Sequence, residues 1–341
     1  MKSTIKEVAH LAGVSIATVS YVLNGTKRVR PETEQRVMDA VTKLNYHVNP
    51  LARNLRKGES KLIGFVVNDL SNNFFHEIAL GLENQLTQQG YRLIMMNSKE
   101  QKSIEIENVK NLIAGAADAL VITPTTSDCS YLRILLENNP IPVIFVDRRP
   151  EGFESDVILA TNEQGAYEAV KALTDKGHTN IAFFGSRQDS TMLERLDGYK
   201  KALEEAGIGL NANFIRFGSY DSVSQRALRH GVIYHHAMEL LTNYDITAIF
   251  SGNNLATLGV FSYIKEANIQ VPKDVAFITF DDSSWLTMTT PTLSAVAQNP
   301  EKMGHVAANL ILERLSEPQD AEKKTFQIVR ISTQLILRGS V

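Results

Sequence analysis

The spacing of apolar residues along the chain changes near residue 61. Before that point apolar positions recur at helical intervals, with Val8, Ala9, Leu11 and Ala12 in one stretch, Val19, Val22 and Leu23 in a second, and Val37, Val41 and Leu44 in a third. Beyond it, short runs suited to buried strands take over: LIGFVV (62–67), RLIMM (92–96), ALVIT (119–123) and PVIFV (142–146), separated by amphipathic stretches such as 75–89. A second series, IAFFG (181–185), FIRF (214–217), AIFS (248–251) and VAFITF (275–280), repeats the arrangement. Strands alternating with helices predict parallel sheets covered on both faces, because a parallel connection needs a crossover long enough to hold a helix. The predicted fold class is α/β: a small all-α helix-turn-helix headpiece, then two doubly wound parallel-sheet lobes with sites at the carboxyl ends of their strands. One more helix, 300–316, and a strand-like tail, 326–337, complete the pattern.

Local signals sharpen the first part. Thr4 with Glu7 three residues on forms a capping box for a helix opening at Ile5, Gly13 permits the positive φ of a tight turn, and Ser15 is placed to cap a second helix over 16–23. Ala9, Ala12 and Ala17 are small enough for a close crossing, which leaves Ile16, Thr18, Ser20 and Tyr21 outward. Pro31 suits the first turn of a third helix. A helix held outward fits the roughly 12 Å wide major groove of DNA, and Ser and Thr hydroxyls suit phosphates. A hairpin alone is equally compatible with any small bundle.

Residues 47–60 differ in character: Asn49 and Pro50 are start signals and Gly58 a stop. The about eight residues between them are too few to hold a helix unaided. Arg53, Arg56 and Lys57 beside Leu51 and Leu55 combine cations with apolar wedges, as minor-groove binding with base-step insertion requires; an ordinary basic linker is the alternative.

Charge follows the same division. The net of −3 conceals ten Lys and Arg against five Asp and Glu in residues 1–60, a local net of +5 that leaves −8 for the remainder. The nucleic-acid footprint is thus confined to the amino-terminal part. Cys129 is the single cysteine, which excludes an intrachain disulfide or a zinc ribbon and agrees with a reducing cytoplasm. The opening MKSTIKEVAH has no apolar run, and no stretch approaches the roughly 18 apolar residues of a membrane span, so a cytoplasmic protein is expected.

No phosphate-cradling glycine motif, no G-x-S-x-G elbow and no second histidine to complete His76-Glu77 is present, so neither cofactor nor metal is expected, and His230, His235 and His236 read as surface residues. Polar residues do gather at strand ends: Asn68 and Asp69, Asp147 and Arg148, Asn253 and Asn254, Asp281 and Asp282. With the aromatic Phe74 and Phe75 they offer the carboxylates, amides and guanidinium that a polyhydroxy ligand needs. Asp69, Asn254 and Asp282 are placed as well to cap the helices that follow as to meet a ligand.

The motifs G-V-S-x-x-T-V-S (13–20) and N-Y-x-x-N-x-x-A-R-x-L (45–55), followed by the two lobes, closely resemble the headpiece, hinge and core of LacI-family transcription regulators over essentially the whole chain. The resemblance implies a headpiece at 1–46, a hinge at 47–60 and a periplasmic-binding-protein-like core at 61–341. It divides the core into lobe 1 at about 61–161 and 291–324 and lobe 2 at about 162–290 and 325–341, with three crossovers. It places Ile16, Ala17 and Tyr21 on base edges, Ser15, Thr18, Ser20, Asn24 and Thr33 on phosphates, and Leu55 as the wedge, flanked by Arg53 and Arg56. Effector contacts carry over to Phe74, Phe75, Asp147, Arg148, Arg195, Asn253, Asp281 and Gln298, and less constant ones to Thr191 and Tyr220.

The implied function is ligand-responsive repression of carbohydrate-utilisation genes by a homodimer on a near-palindromic double-stranded operator, with a sugar or sugar derivative as effector. Tyr21 stands where many members carry Arg or His, so bidentate guanine readout is missing from this helix. Asn254 stands where Asp is frequent, and the segment after Tyr220, which carries Arg226 and Arg229, is roughly ten residues longer than usual. Arg148 and Arg195 as fork donors, with those extra cations, favour an anionic sugar. A sugar-binding transport protein would need a leader and no headpiece, and a sugar-modifying enzyme would need a convergent acid and base, for which Asp147 and Asp281 are the available pair.

Overall fold

The computed structural model describes residues 3–24, 27–46, 60–218, 231–317 and 325–341. They divide into two compact units, Met1–Ser60 and Lys61–Val341.

The first unit is built from three helices, α1 (Ile5–Ala12), α2 (Ile16–Asn24) and α3 (Pro31–Lys43). The capping box closes as the sequence predicts: the Glu7 amide donates to Thr4 Oγ1, and the Glu7 carboxylate accepts from the Thr4 amide at 2.7 Å. Gly13 takes a φ of 64° at the end of α1, and the Thr18 amide donates to Ser15 Oγ at 3.1 Å at the start of α2. Val8, Ala9, Ala12, Val19, Val37 and Ala40 form the core, with Val22, Leu23, Val41 and Leu44 packed half-buried against it. Leu11 does not join them. At 43% exposure it lies beside the apolar stripe, because the buried positions of a helix this short are fixed by Val8, Ala9 and Ala12 alone.

The second unit contains two six-stranded sheets. In lobe 1 the strands β1 (Leu62–Val67), β2 (Arg92–Asn97), β3 (Ala119–Ile122), β4 (Val143–Val146), β5 (Asp156–Ala160) and β11 (Ile328–Ile331) are all parallel, in the order β11-β5-β4-β3-β1-β2. Helices α4 (Asn73–Gln88), α5 (Lys102–Ala114), α6 (Tyr131–Leu136) and α11 (Pro300–Ser316) belong with this sheet. In lobe 2 the strands β6 (Ile181–Gly185), β7 (Ile215–Phe217), β8 (Ala248–Ser251), β9 (Ala276–Phe280), β10 (Ser294–Ala297) and β12 (Gln334–Ile336) run in the order β12-β10-β9-β8-β6-β7. Only β12, an edge strand, is antiparallel to its neighbour. Helices α7 (Asn162–Thr174), α8 (Ser190–Glu205), α9 (Val232–Asn243) and α10 (Asn254–Glu266) flank it. The strand interiors carry Phe, Ile and Val because both faces of a doubly wound sheet are covered.

Two lobe boundaries differ from the sequence reading. β10, within the segment assigned to lobe 1, pairs with β9 in lobe 2, and β11, within the segment assigned to lobe 2, pairs with β5 in lobe 1. The crossovers therefore fall just after β5, just after β10 and between β11 and β12, later in the chain than residues 290 and 324. β5 and β10 themselves went unread because DVILA and SAVA are short and weakly set off from their surroundings. Lobe packing also needs glycine at particular points: a Cβ on Gly81 of α4 would lie 2.0 Å from the Glu301 carbonyl oxygen, and one on Gly304 of α11 would lie 2.1 Å from that of Ile78.

Candidate functional site

Both sheets have the strand order 2-1-3-4-5, so chain direction switches between their first and third strands and a crevice opens at the carboxyl ends. The two crevices face each other within the second unit. Phe74 and Phe75, in the first turn of α4, meet edge to face at 5.2 Å, with Phe75 anchored in the lobe 1 core. Asp147 and Arg148 follow β4. Thr191 and Arg195 lie on the first turns of α8, Asn253 precedes α10, Asp281 follows β9 and Gln298 follows β10. These nine residues line one cleft. The tenth expected contact, Tyr220, lies outside the described residues, as do Arg226, Arg229 and His230.

The cleft is closed upon itself by ion pairs. Arg148 donates to both carboxylate oxygens of Glu100, at 2.9 and 3.1 Å, and to the Pro124 carbonyl at 3.1 Å, and it pairs with Asp189 of lobe 2 at 3.1 Å. Arg187 of lobe 2 reaches back to Glu100 at 3.0 Å. The Thr191 hydroxyl donates to the Asp147 carbonyl, the Arg149 amide to Ser190 Oγ at 2.9 Å, and Asn254 Nδ2 to Asn72 Oδ1 at 2.9 Å, each bond joining one lobe to the other. The inner space left is small, about 50 Å³. A second chamber of about 270 Å³ adjoins it, sharing Asn72, Phe74, Leu255, Asp281 and Gln298 and adding Glu77 and Trp285.

Several side chains have a different role from the one expected. Arg195 is 3% exposed, donates through Nε to Asn162 at 3.0 Å and through a terminal nitrogen to the Gly252 carbonyl at 2.7 Å, and lies 3.7 Å over the Phe280 ring. Neither it nor Arg148 presents a free fork, so the two arginines give no support to an anionic ligand. Asn253 rather than Asn254 caps α10, accepting the Ala256 amide at 2.9 Å while its Nδ2 donates to Ser186 Oγ at 2.6 Å. Asp69 accepts from Ser71 in a local turn while Asn72 caps α4, and Asp282 forms a two-pronged pair with Arg338. None of the three candidate caps serves as one, because the N-cap positions fall at Asn72, Asn253 and Ser283, one to three residues away from them.

Burial raises Asp147 to about 7 against the pull of Arg148 and Arg195, with Asp189 and Asp281 adding to the rise. Burial likewise raises Glu77, as do Asp281 and Glu301. Cys129 is buried and its thiol is pushed up to about 12, chiefly by desolvation, which leaves it unreactive.

Glu100, Arg187, Asp189 and Ser186 were not singled out from the sequence. The strand-end rule finds them when applied to every strand, since Glu100 follows β2 and Ser186 to Asp189 follow β6.

On the headpiece, Ser15, Ile16 and Ala17 are exposed and Thr18, Ser20, Tyr21 and Thr33 half-buried, while Asn24 is the last residue of α2. Lys27 places its ammonium 5.0 Å from the Tyr21 ring centre. Arg53, Leu55 and Arg56 lie outside the described residues. Among the described residues no helix is long and apolar enough to cross a membrane.

Residues 4–49 match the sequence profile of bacterial regulatory proteins of the lacI family, and residues 170–341 that of a periplasmic binding protein-like domain. The chain is 32% identical over 345 residues to the HTH-type transcriptional repressor PurR of Photobacterium profundum, an alignment spanning 99% of this chain and 98% of that one. Among solved structures, a transcriptional regulator CelR–cellobiose complex is 26% identical with a TM-score of 0.71 and full coverage of both chains. The lac repressor dimer bound to operator and the anti-inducer ONPF shares the fold, with a TM-score of 0.82 at 24% identity over 100% of this chain and 99% of that one. The chain belongs to the lacI family of bacterial regulatory proteins and is a DNA-binding transcriptional repressor, not an enzyme.

Proposed function

We propose that this repressor acts in the cytoplasm as a homodimer on a near-palindromic operator, controls carbohydrate-utilisation genes, and responds to a sugar or sugar derivative held between its lobes. The observation that carries this reading is the convergence of nine strand-end and helix-start residues on a single cleft bridged by contacts between the lobes. Carboxylates and amides beside aromatic rings suit hydroxyl-rich ligands, and the similar CelR structure is a cellobiose complex.

A ligand gripped by both lobes binds the closed arrangement better than an open one. That differential affinity is what shifts the lobes and, through them, the two DNA-binding headpieces of a dimer. Ser15, Thr18, Ser20, Asn24 and Thr33 are assigned to phosphates, Ile16, Ala17 and Tyr21 to base edges, and Arg53, Leu55 and Arg56 to the minor groove. A dimer face on lobe 1 is supported by α4 and β2, which pack together and leave Leu80 54% and Ile94 42% exposed.

Operator selection from randomised duplex, followed by footprinting, tests the DNA half. We expect paired half-sites about one helical turn apart and affinity that falls by ~10³ or more between 50 and 200 mM salt. Protection of a lone half-site by a monomer overturns it. For the effector half, a thermal-shift screen of neutral, acidic and amino sugars on the full chain should yield a ligand whose binding is lost in Asn253→Ala, and a stabilising ligand indifferent to that change displaces the site.

A further inference from the structure

The polar groups of the cleft are unevenly matched. Asn68 is 2% exposed and donates through Nδ2 to Glu100 at 2.8 Å, which fixes the orientation of its amide and leaves Oδ1 without a partner in the protein. The same logic holds for Gln298, whose Nε2 donates to Asp281 at 2.5 Å, and for Asn254, whose Nδ2 donates to Asn72. Their oxygens, like Asp69 Oδ2, are buried and unpartnered. In each of the three amides the nitrogen is held by an acceptor, so the atom left over is a carbonyl oxygen. Four acceptors therefore await donors, against a single unpartnered donor in the same cleft, Arg148 Nε.

Formal charge points the same way. The inner chamber is lined by five carboxyl groups, one of them the raised Asp147, and by three guanidiniums; Arg148 is held through its terminal nitrogens by Glu100 and Asp189, Arg187 through one nitrogen by Glu100, and Arg195 by neutral acceptors and an aromatic face. Among the described residues the outer chamber is lined by three carboxylates, Glu77, Asp281 and Asp282, and by no Lys or Arg. Arg338 pairs with Asp282, whereas no cation among the described residues pairs with Glu77 or Asp281. Phe74 and Trp285 line the same space, and their ring faces attract cations.

We propose that the effector carries a protonated nitrogen beside its hydroxyl groups, as an amino sugar does, and that the outer chamber receives the nitrogen through Glu77, Asp281 and the rings of Phe74 and Trp285. The ammonium donates to the carboxylates, and the hydroxyls donate to the waiting oxygens of Asn68, Asn254 and Gln298. An anionic sugar meets the surplus carboxylates instead and is excluded. This rests on the reading of the cleft as a sugar site and specifies the sugar's charge.

The test is calorimetry on the full chain with matched sets: glucosamine, galactosamine and mannosamine, their N-acetyl forms, the parent neutral hexoses, glucose 6-phosphate, and putrescine. Wild type is compared with Glu77→Gln, which keeps the side-chain shape and removes the charge. The expected result is an amino sugar bound at least tenfold more tightly than its neutral and N-acetyl counterparts, with most of that preference gone in Glu77→Gln. Equal or tighter binding of a neutral hexose or of the phosphate overturns the proposal and leaves the sugar reading standing. A preference undiminished in Glu77→Gln removes the assigned chamber. Binding of putrescine without any sugar refutes the sugar reading and the amino-sugar assignment with it, and so does the absence of binding across the series.

Discussion

Glu100 accepts two hydrogen bonds from Arg148 within its own lobe and a third from Arg187 across the cleft, so one carboxylate from the end of β2 ties together the strand end after β4 and the strand end after β6. The two arginines differ in what the tie is worth. Arg148 is 11% exposed in its side chain and keeps Asp189 if Glu100 is lost, whereas Arg187 is 37% exposed. Replacing Glu100 by Ala should cost on the order of 2 kcal/mol, less than the ~3–5 kcal/mol of a fully buried pair broken from one side. Arg187→Ala should cost less than about 1 kcal/mol. Urea unfolding of both variants checks the order, and equal losses would show that burial does not govern this network.

Asp147 supplies a pH dependence. Its carboxyl is raised from 3.8 to about 7, so between those values the folded protein holds a proton that the unfolded chain has released. Stability contributed by this group is therefore lost as pH climbs from about 4 to about 7, the reverse of an ordinary paired carboxylate. Asp147→Asn removes the titration and preserves a residue type that tolerates the φ of 69° found there. The stability difference between variant and wild type should shift in favour of Asn across that interval and level off above about pH 8. A difference that stays constant from pH 4 to 8 would place Asp147 in a solvated site.

How much of this was legible in the sequence depended on the range of the interaction. The Thr4–Glu7 box, the Gly13 turn and the Ser15–Thr18 cap are contacts within three residues, and they form as the spacing requires. The strand runs were equally plain, since LIGFVV and VAFITF have no other way to bury so many apolar residues. What the sequence did not show was either cooperative or distant. Arg195 lines the cleft as expected, but Asn162, Gly252 and Phe280, which hold it in place, lie 33 to 85 positions away. The lobe boundaries depended on which sheet two four-residue strands would join, a choice made by the neighbours' register and not by SAVA or IVRI.

The crossing of α4 and α11 depends on two glycines that face backbone. A methyl at Gly304 would sit 2.1 Å from the Ile78 carbonyl oxygen and 2.8 Å from the Leu82 amide nitrogen, and neither atom can yield without moving the helix. Alanine gains ~1 kcal/mol in helix propensity over glycine, but overpacking against backbone costs ~1–3 kcal/mol or more, so Gly304→Ala should be destabilising on balance. Gly209 offers the contrast, with nothing within 4 Å of its Cβ position and no positive φ. Gly209→Ala should be neutral or slightly stabilising. Thermal melts of the two variants separate the cases, and an unchanged melting temperature for Gly304→Ala would mean that the two helices can part at no cost.

Tyr21 sits on the outward side of α2, with the Lys27 ammonium near its ring and the exposed Ile16 and Ala17 one turn before it. If these three side chains face bases, the helix reads thymine methyl groups and one hydrogen-bonding edge, and it lacks the two-pronged donor that selects guanine. Tyr21→Arg supplies that donor pair. It should move the selected half-site toward guanine at a single position with ~1–3 kcal/mol of discrimination, while the headpiece fold is kept because the core uses Val19, Val37 and their neighbours. Arg brings an extra positive charge, so affinity for random DNA should rise a little as well, and only the change in sequence preference is diagnostic. Randomised-site selection with wild type and variant at equal salt measures it. An identical consensus from both proteins would take Tyr21 off the bases and leave Ile16 and Ala17 as the readers.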